Sequence, residues 1–158
     1  MRSRPAGLRD DGLKTKSSPS RSTPPRPKIL TVDDAKAVRL LTQRALAGFN
    51  CALSEAPNGY NALFAMERDL PDLILLDVNM PTMGGLEMLT MMRSNPTLRA
   101  IPVIMLTSPA DHGVIDQLSA LGISGLVQKP FTPAALVEKI RAVIELPPAP
   151  LSATAKPA

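Results

Sequence analysis

At 158 residues, 44% of them apolar, the chain has room for one ordinary domain with a sizeable core, and with aromatics at only 3% that core must be aliphatic and methionine-rich. A single cysteine, Cys51, excludes an internal disulfide framework, and no apolar run approaches the ~20 residues of a membrane helix or forms a secretion signal, so a cytoplasmic protein is expected. The net charge of +4 is unevenly spread: residues 1–28 hold 8 Lys/Arg and 2 Asp, whereas residues 29–146 hold 9 Lys/Arg and 12 Asp/Glu, so the body is mildly acidic and the basic balance belongs to a tail.

That tail, residues 1–27, is rich in Pro, Ser and Arg and nearly free of large apolar residues. It cannot bury enough surface to offset chain entropy, which predicts disorder. It interleaves no aromatics for base stacking, so specific DNA or RNA binding is not expected. Next comes "KILTV", a short apolar run that reads as a first strand and ends at Asp33–Asp34. Val38, Leu41, Ala45 and Leu46 then recur at helical spacing until Gly48, a natural stop. "CALSEA" is a weaker second strand, with Cys51 as a buried strand thiol. Leu63, Met66 and Leu70 mark a second helix, ended by Pro71.

"LILL" has no polar alternation and reads as a strand buried on both faces, with Asp77 immediately after it. Leu86, Leu89 and Arg93 lie on a third helix, and "IPVIML" is the fourth strand, ending at Thr107–Ser108. The methionines Met88, Met91, Met92 and Met105 read as core filler. Ile115, Leu118 and Leu121 mark a fourth helix, opened by a solvated or capping His112. "GLVQ" is the fifth strand, ending at Lys129–Pro130. Leu136, Ile140, Val143 and Ile144 form the fifth helix, which starts after "TP" and is halted by Pro147–Pro148. Residues 147–158 read as a second tail expected to be disordered.

Five strand–helix repeats imply right-handed crossovers and an α/β fold, a parallel sheet covered on both faces within residues 28–146. In such sheets ligands sit beyond the carboxyl ends of the strands. There the sequence collects Asp33, Asp34, Asp77, Thr107 and Lys129. Capping could account for each acid separately, but not for a lysine at the last strand end facing three acids at two others. Crowded carboxylates repel unless a cation relieves them, and a hard divalent ion such as Mg2+ does so while sharing its shell with a phosphate. Asp77 is the candidate nucleophile for an aspartyl phosphate, Asp33 and Asp34 the metal ligands, and Lys129 and Thr107 the groups that meet phosphoryl oxygens.

The segments "TVDDAKAVR", "LLDVNMPTMGGLEML", "IPVIMLTS" and "GLVQKPF" resemble, in order and across all five repeats, the receiver domain of bacterial response regulators, the CheY-like family. The resemblance implies a flavodoxin-like doubly wound sheet of order 2-1-3-4-5 with five helices. It implies Asp77 as phosphoacceptor, Asp33, Asp34 and the Asn79 main-chain carbonyl around Mg2+, Thr107 as switch hydroxyl, Lys129 as phosphate-binding amine and a cis Lys129–Pro130 bond. It implies a phosphohistidine on a histidine kinase or phosphotransfer protein as donor, and a stand-alone regulator that binds a downstream protein, in chemotaxis or a phosphorelay, through its fourth helix, fifth strand and fifth helix. A monomer or weak dimer is expected, and no enzyme beyond its own phosphorylation and dephosphorylation.

The sequence departs from the family in places. Leu126 stands where relatives carry Tyr or Phe, so the aromatic half of the switch is replaced by an aliphatic side chain. Pro109, two residues past Thr107, cannot bond an attacking water, which predicts that it does not shorten the acyl phosphate's life. Gly84–Gly85 replaces the commoner Asp-Gly, one glycine suiting a positive-φ turn and neither expected to bear on function. The alternatives are a Mg2+-dependent aspartyl-phosphate phosphatase, which lacks here a second acid at Asn79, and a docking module that works without phosphorylation.

Overall fold

The structure is a computed structural model and describes residues 26–150. The tails at 1–25 and 151–158, expected to be disordered, lie outside the described residues. Five parallel strands form one sheet: β1 (Lys28–Val32), β2 (Ala52–Ala56), β3 (Leu73–Asp77), β4 (Val103–Thr107) and β5 (Gly125–Gln128), in the order β2-β1-β3-β4-β5. The helices are α1 (Lys36–Leu46), α2 (Gly59–Arg68), α3 (Gly85–Arg93), α4 (Ile115–Leu121) and α5 (Pro133–Arg141), with a 3-10 helix at Pro109–Val114 leading into α4.

β3 and β4 are buried along their whole length because helices cover both faces, which is why "LILL" and "VIML" lack the alternation of a half-exposed strand. Successive side chains still point to opposite sides. Ile29, Leu73, Leu75, Ile104, Leu106 and Val127 meet Leu46 of α1 and Leu136 and Ile140 of α5. Leu30, Val32, Ile74, Leu76, Val103 and Met105 meet α2, α3 and α4 on the other side, where Met66, Met83, Met88, Leu89, Met92 and Leu118 complete the larger core. The parallel sheet covered on both faces that the repeats predict is the observed one, and its order is the flavodoxin-like one that the resemblance implies.

Several local expectations change. Met88, Met92 and Met105 are fully buried, but Met91 is 47% exposed, on the outer side of α3. Leu70 lies past the end of α2, where Asp69 turns extended, and is exposed. His112 sits inside the 3-10 helix, a turn before α4 starts. The first four residues of the expected C-terminal tail are ordered against the body: Phe49 and Pro148 form an antiparallel bridge, Asn50 N–H donates to the Pro147 carbonyl at 2.7 Å, and Leu146 is buried. A single apolar residue after a weak helix end does not announce this docking in sequence. No helix among the described residues is long and apolar enough to cross a membrane.

Candidate phosphoryl and metal site

The parallel register sets the strand ends level. Asp77, the last residue of β3, pairs with Leu106, and Thr107, the last of β4, pairs with Gln128 just before Lys129. On the other side of β3, Val32 pairs with Leu76, so Asp33 follows β1 at the same height. The Lys129 N–H donates to the Thr107 carbonyl at 2.6 Å and the Val78 N–H to the Leu106 carbonyl at 3.3 Å, so the ladder extends past the strand ends and fixes the loop starts. The Lys129–Pro130 peptide is cis, as expected.

Oxygens of Asp33, Asp34 and Asp77 lie within 4.8 Å of one another. Asp33 is fully buried and Asp77 nearly so, whereas Asp34 faces solvent. Asp33 Oδ1 accepts the Ala35 N–H at 2.9 Å, which turns its carboxylate into the site. Lys129 Nζ donates to Asp77 Oδ1 at 2.9 Å and lies 2.8 Å from Asp33 Oδ2. The second contact is close enough for charge attraction but is not aligned as a hydrogen bond, so Asp33 Oδ2 has no donor aimed at it among the described residues. Burial pushes the Asp77 carboxyl up to about 6; the Lys129 hydrogen bond opposes the rise, and Asp33 and Asp34 add to it. Burial works against the charged Lys129, yet attraction to Asp33 and the hydrogen bond and charge of Asp77 outweigh it and hold the ammonium above its ordinary range.

A buried carboxylate oxygen without a donor, beside two further carboxylates, is a hard-oxygen set that fits a small divalent cation such as Mg2+. One ammonium cannot balance three carboxylates. Thr107 is buried at the rim of the same pocket. Asn79 is exposed on the loop after β3, and its side chain donates to Asp111. Leu126 is half-buried and packs against the larger core, below the site rather than in it.

Three residues around the site escape a reading of the strand ends. Arg39 of α1 donates from Nη1 to the Asp33 carbonyl at 2.7 Å and from Nε to Glu55 at 2.9 Å, tying the acid-bearing loop to α1 and β2. Its only sequence signal is a position one turn into the helix. Neither Gly84 nor Gly85 is expected from the sequence to bear on function. Yet a Cβ at Gly85 would stand 2.2 Å from the Asp77 carbonyl oxygen, so the glycine lets α3 begin against the backbone of the candidate nucleophile. The positive-φ residue of that loop is Thr82, at 70°. Asp111 is buried, and its signal is the Ser-x-x-Asp spacing from Ser108, a helix-opening pattern.

A parallel five-stranded sheet of order 2-1-3-4-5, with an acid triad and a lysine at its carboxyl rim, defines a class of protein: the chain belongs to the response regulator receiver domain family, whose pattern matches residues 29–141. This places it in two-component signalling. It is similar to the chemotaxis protein CheY-3 of Vibrio cholerae, 36% identical over 120 residues that cover 75% of this chain and 92% of that one. Chemotaxis protein CheY of Pseudomonas aeruginosa is also 36% identical over 120 residues, covering 75% and 96% of the two chains. Among solved structures, the chemotaxis response regulator CheY4 of Vibrio cholerae superposes with a TM-score of 0.69 at 30% identity, over 76% of this chain and all of that one.

Proposed function

We propose that the protein is a response regulator whose receiver domain takes a phosphoryl group on Asp77 and signals by binding another protein in that state. The observation that carries this reading is Lys129 held between two buried carboxylates, Asp33 and Asp77, at the end of the sheet. Such a lysine neutralises whatever anion replaces one of its partners, and a phosphoryl group on Asp77 is such an anion. Asp33, Asp34, Asp77 and the main-chain carbonyl of Asn79 would hold Mg2+. When bound, the ion supplies positive charge to the phosphoryl oxygens and helps orient the group.

An Asp77 carboxylate oxygen attacks phosphorus of a phosphohistidine on a histidine kinase or phosphotransfer protein. The O–P bond forms as the N–P bond breaks, and the departing imidazole takes up a proton. Lys129 holds Asp77 through Oδ1 and meets the added charge, while the Thr107 hydroxyl donates to a phosphoryl oxygen. Beside Lys129, an apolar groove of about 410 Å³ lined by Ala37, Val38, Leu41, Pro130 and Phe131 offers the donor protein a place to dock. The output surface is α4, β5 and α5, with Leu126 in place of an aromatic switch. The protein works in the cytoplasm, in chemotaxis or a phosphorelay, and catalyses no reaction beyond gain and loss of its own phosphoryl group.

Intact mass after incubation with Mg2+ and acetyl phosphate, beside Asp77→Asn, tests the proposal. A gain of one phosphoryl group that requires Mg2+ and disappears in the variant is expected. An unchanged mass in folded, Mg2+-bound wild type, with acetyl phosphate and with a panel of phosphorylated histidine kinases, would refute it.

A further inference from the structure

Asp111 is a buried carboxylate in the 3-10 helix that follows β4, and the proposed chemistry does not use it. It is 5% exposed, and both of its oxygens are engaged. Oδ2 accepts the Ser108 N–H at 2.7 Å, and the Asp111 N–H returns to the Ser108 carbonyl at 2.9 Å, which closes the first turn after β4. Oδ1 accepts from Nδ2 of Asn79, two residues past Asp77 on the neighbouring loop. A helix-opening acid needs only the first of these partners. The second bond joins loops that are 32 residues apart in the chain.

We propose that Asp111 is a positioning residue that latches the Asn79 amide away from the phosphoryl pocket and thereby lengthens the life of the aspartyl phosphate. This inference rests on the reading of Asp77 as phosphoacceptor. Loss of the phosphoryl group requires water to attack phosphorus. A new O–P bond forms, the acyl O–P bond breaks, the Asp77 carboxylate is restored, and the water's proton leaves with inorganic phosphate or to solvent. An amide at the pocket mouth can hold and orient that water. With Nδ2 committed to a buried carboxylate it does not, because breaking the bond would strand a charge with half its partners. Pro109, next to Ser108 and exposed, has no N–H to supply in its place.

The lifetime of phosphorylated wild type, Asp111→Ala, Asn79→Ala and the double variant, followed by intact mass after removal of acetyl phosphate, decides the matter. Asp111→Ala should decay faster by roughly tenfold, the worth of one ordinary hydrogen bond to the attacking water, and should make no difference in the Asn79→Ala background. A general loosening of the loop would persist in that background and would overturn the latch, as would equal lifetimes in wild type and Asp111→Ala. Side-chain amide NMR supplies a second readout. The Asn79 NH2 signals should be shifted and slow to exchange in wild type, and should return to solvent-like values in Asp111→Ala. Should that variant not fold, Asp111→Asn offers a single acceptor to two donors and is expected to give the same two changes. Wild type that takes up no phosphoryl group overturns the receiver chemistry and the latch together, an outcome distinct from phosphorylation with unaltered lifetimes.

Discussion

Asp77 illustrates how one residue carries opposing demands. Its carboxyl titrates at about 6, against an ordinary 3.8, because burial penalises its charge more than Lys129 favours it. The folded state therefore binds a proton at Asp77 more tightly than the unfolded state does. Between about pH 4 and pH 6 this group makes stability fall as pH rises, and above pH 6 the loss is complete. Without divalent cations at pH 7.5, Asp77→Asn is accordingly expected to be more stable than wild type by about 2–3 kcal/mol, with the gap closing as pH falls toward 4. Urea denaturation of both proteins across that range measures it, and a gap independent of pH would mean that the acid is not destabilised by burial. A carboxylate held at such a cost is what a site kept for chemistry rather than stability looks like. Thr31 is a smaller case of buried polarity, a hydroxyl in the middle of β1 without a hydrogen-bond partner among the described residues.

At the scale of elements, the site depends on how loops leave the strands. α3 starts where the Gly85 N–H donates to the Val78 carbonyl at 2.9 Å, and the glycine lies almost on the Asp77 peptide. Gly85→Ala must push α3 or the β3 end aside. It is expected to lose about 1–3 kcal/mol of stability, the usual range for overpacking, and to displace Asp77 enough to slow phosphorylation. A denaturation midpoint and the rate of mass gain with acetyl phosphate report both effects, and a variant as stable and as fast as wild type would show that the loop has slack. α3 is tied at its other end by Arg93, whose guanidinium donates to the carbonyls of Arg99, Ile101, Leu121 and Gly122. Gly122 follows α4 at a φ of 91°, so one arginine binds the closing turn of α4 to the approach to β4. Periodicity marked Arg93 only as a helix position; the spread of its guanidinium hydrogen bonds over two loops belongs to the tertiary structure.

For the whole molecule, three carboxylates facing one ammonium leave a local excess of negative charge that a cation would relieve. Mg2+ is therefore expected to raise the melting temperature of wild type at neutral pH. At a hundredfold excess over its dissociation constant the gain is about 2.7 kcal/mol, or several degrees for a domain of this size. Asp33→Asn, which removes the fully buried acid, should abolish most of that rise. An equal rise in wild type and variant would place the ion elsewhere.

Much of this architecture is legible in the residues themselves. Continuous aliphatic runs such as "LILL" and "VIML", separated by helical periods, permit little but a parallel sheet covered on both faces, and the rule that such sheets bind at their carboxyl ends picks out Asp33, Asp34, Asp77, Thr107 and Lys129 without coordinates. These features are local in sequence or follow from strand order. The closeness of Asp111 to Asn79, the seat of Gly85 on the Asp77 carbonyl, the reach of Arg39 to Asp33 and the return of Leu146 to the core are of another kind. Each joins segments whose separation in space depends on loop paths and side-chain directions, and no periodicity encodes those. Sequence alone determined which side chains stand at the rim, because register follows from the strands; only the folded chain decided which of their neighbours hold them, because contact across loops is settled by packing.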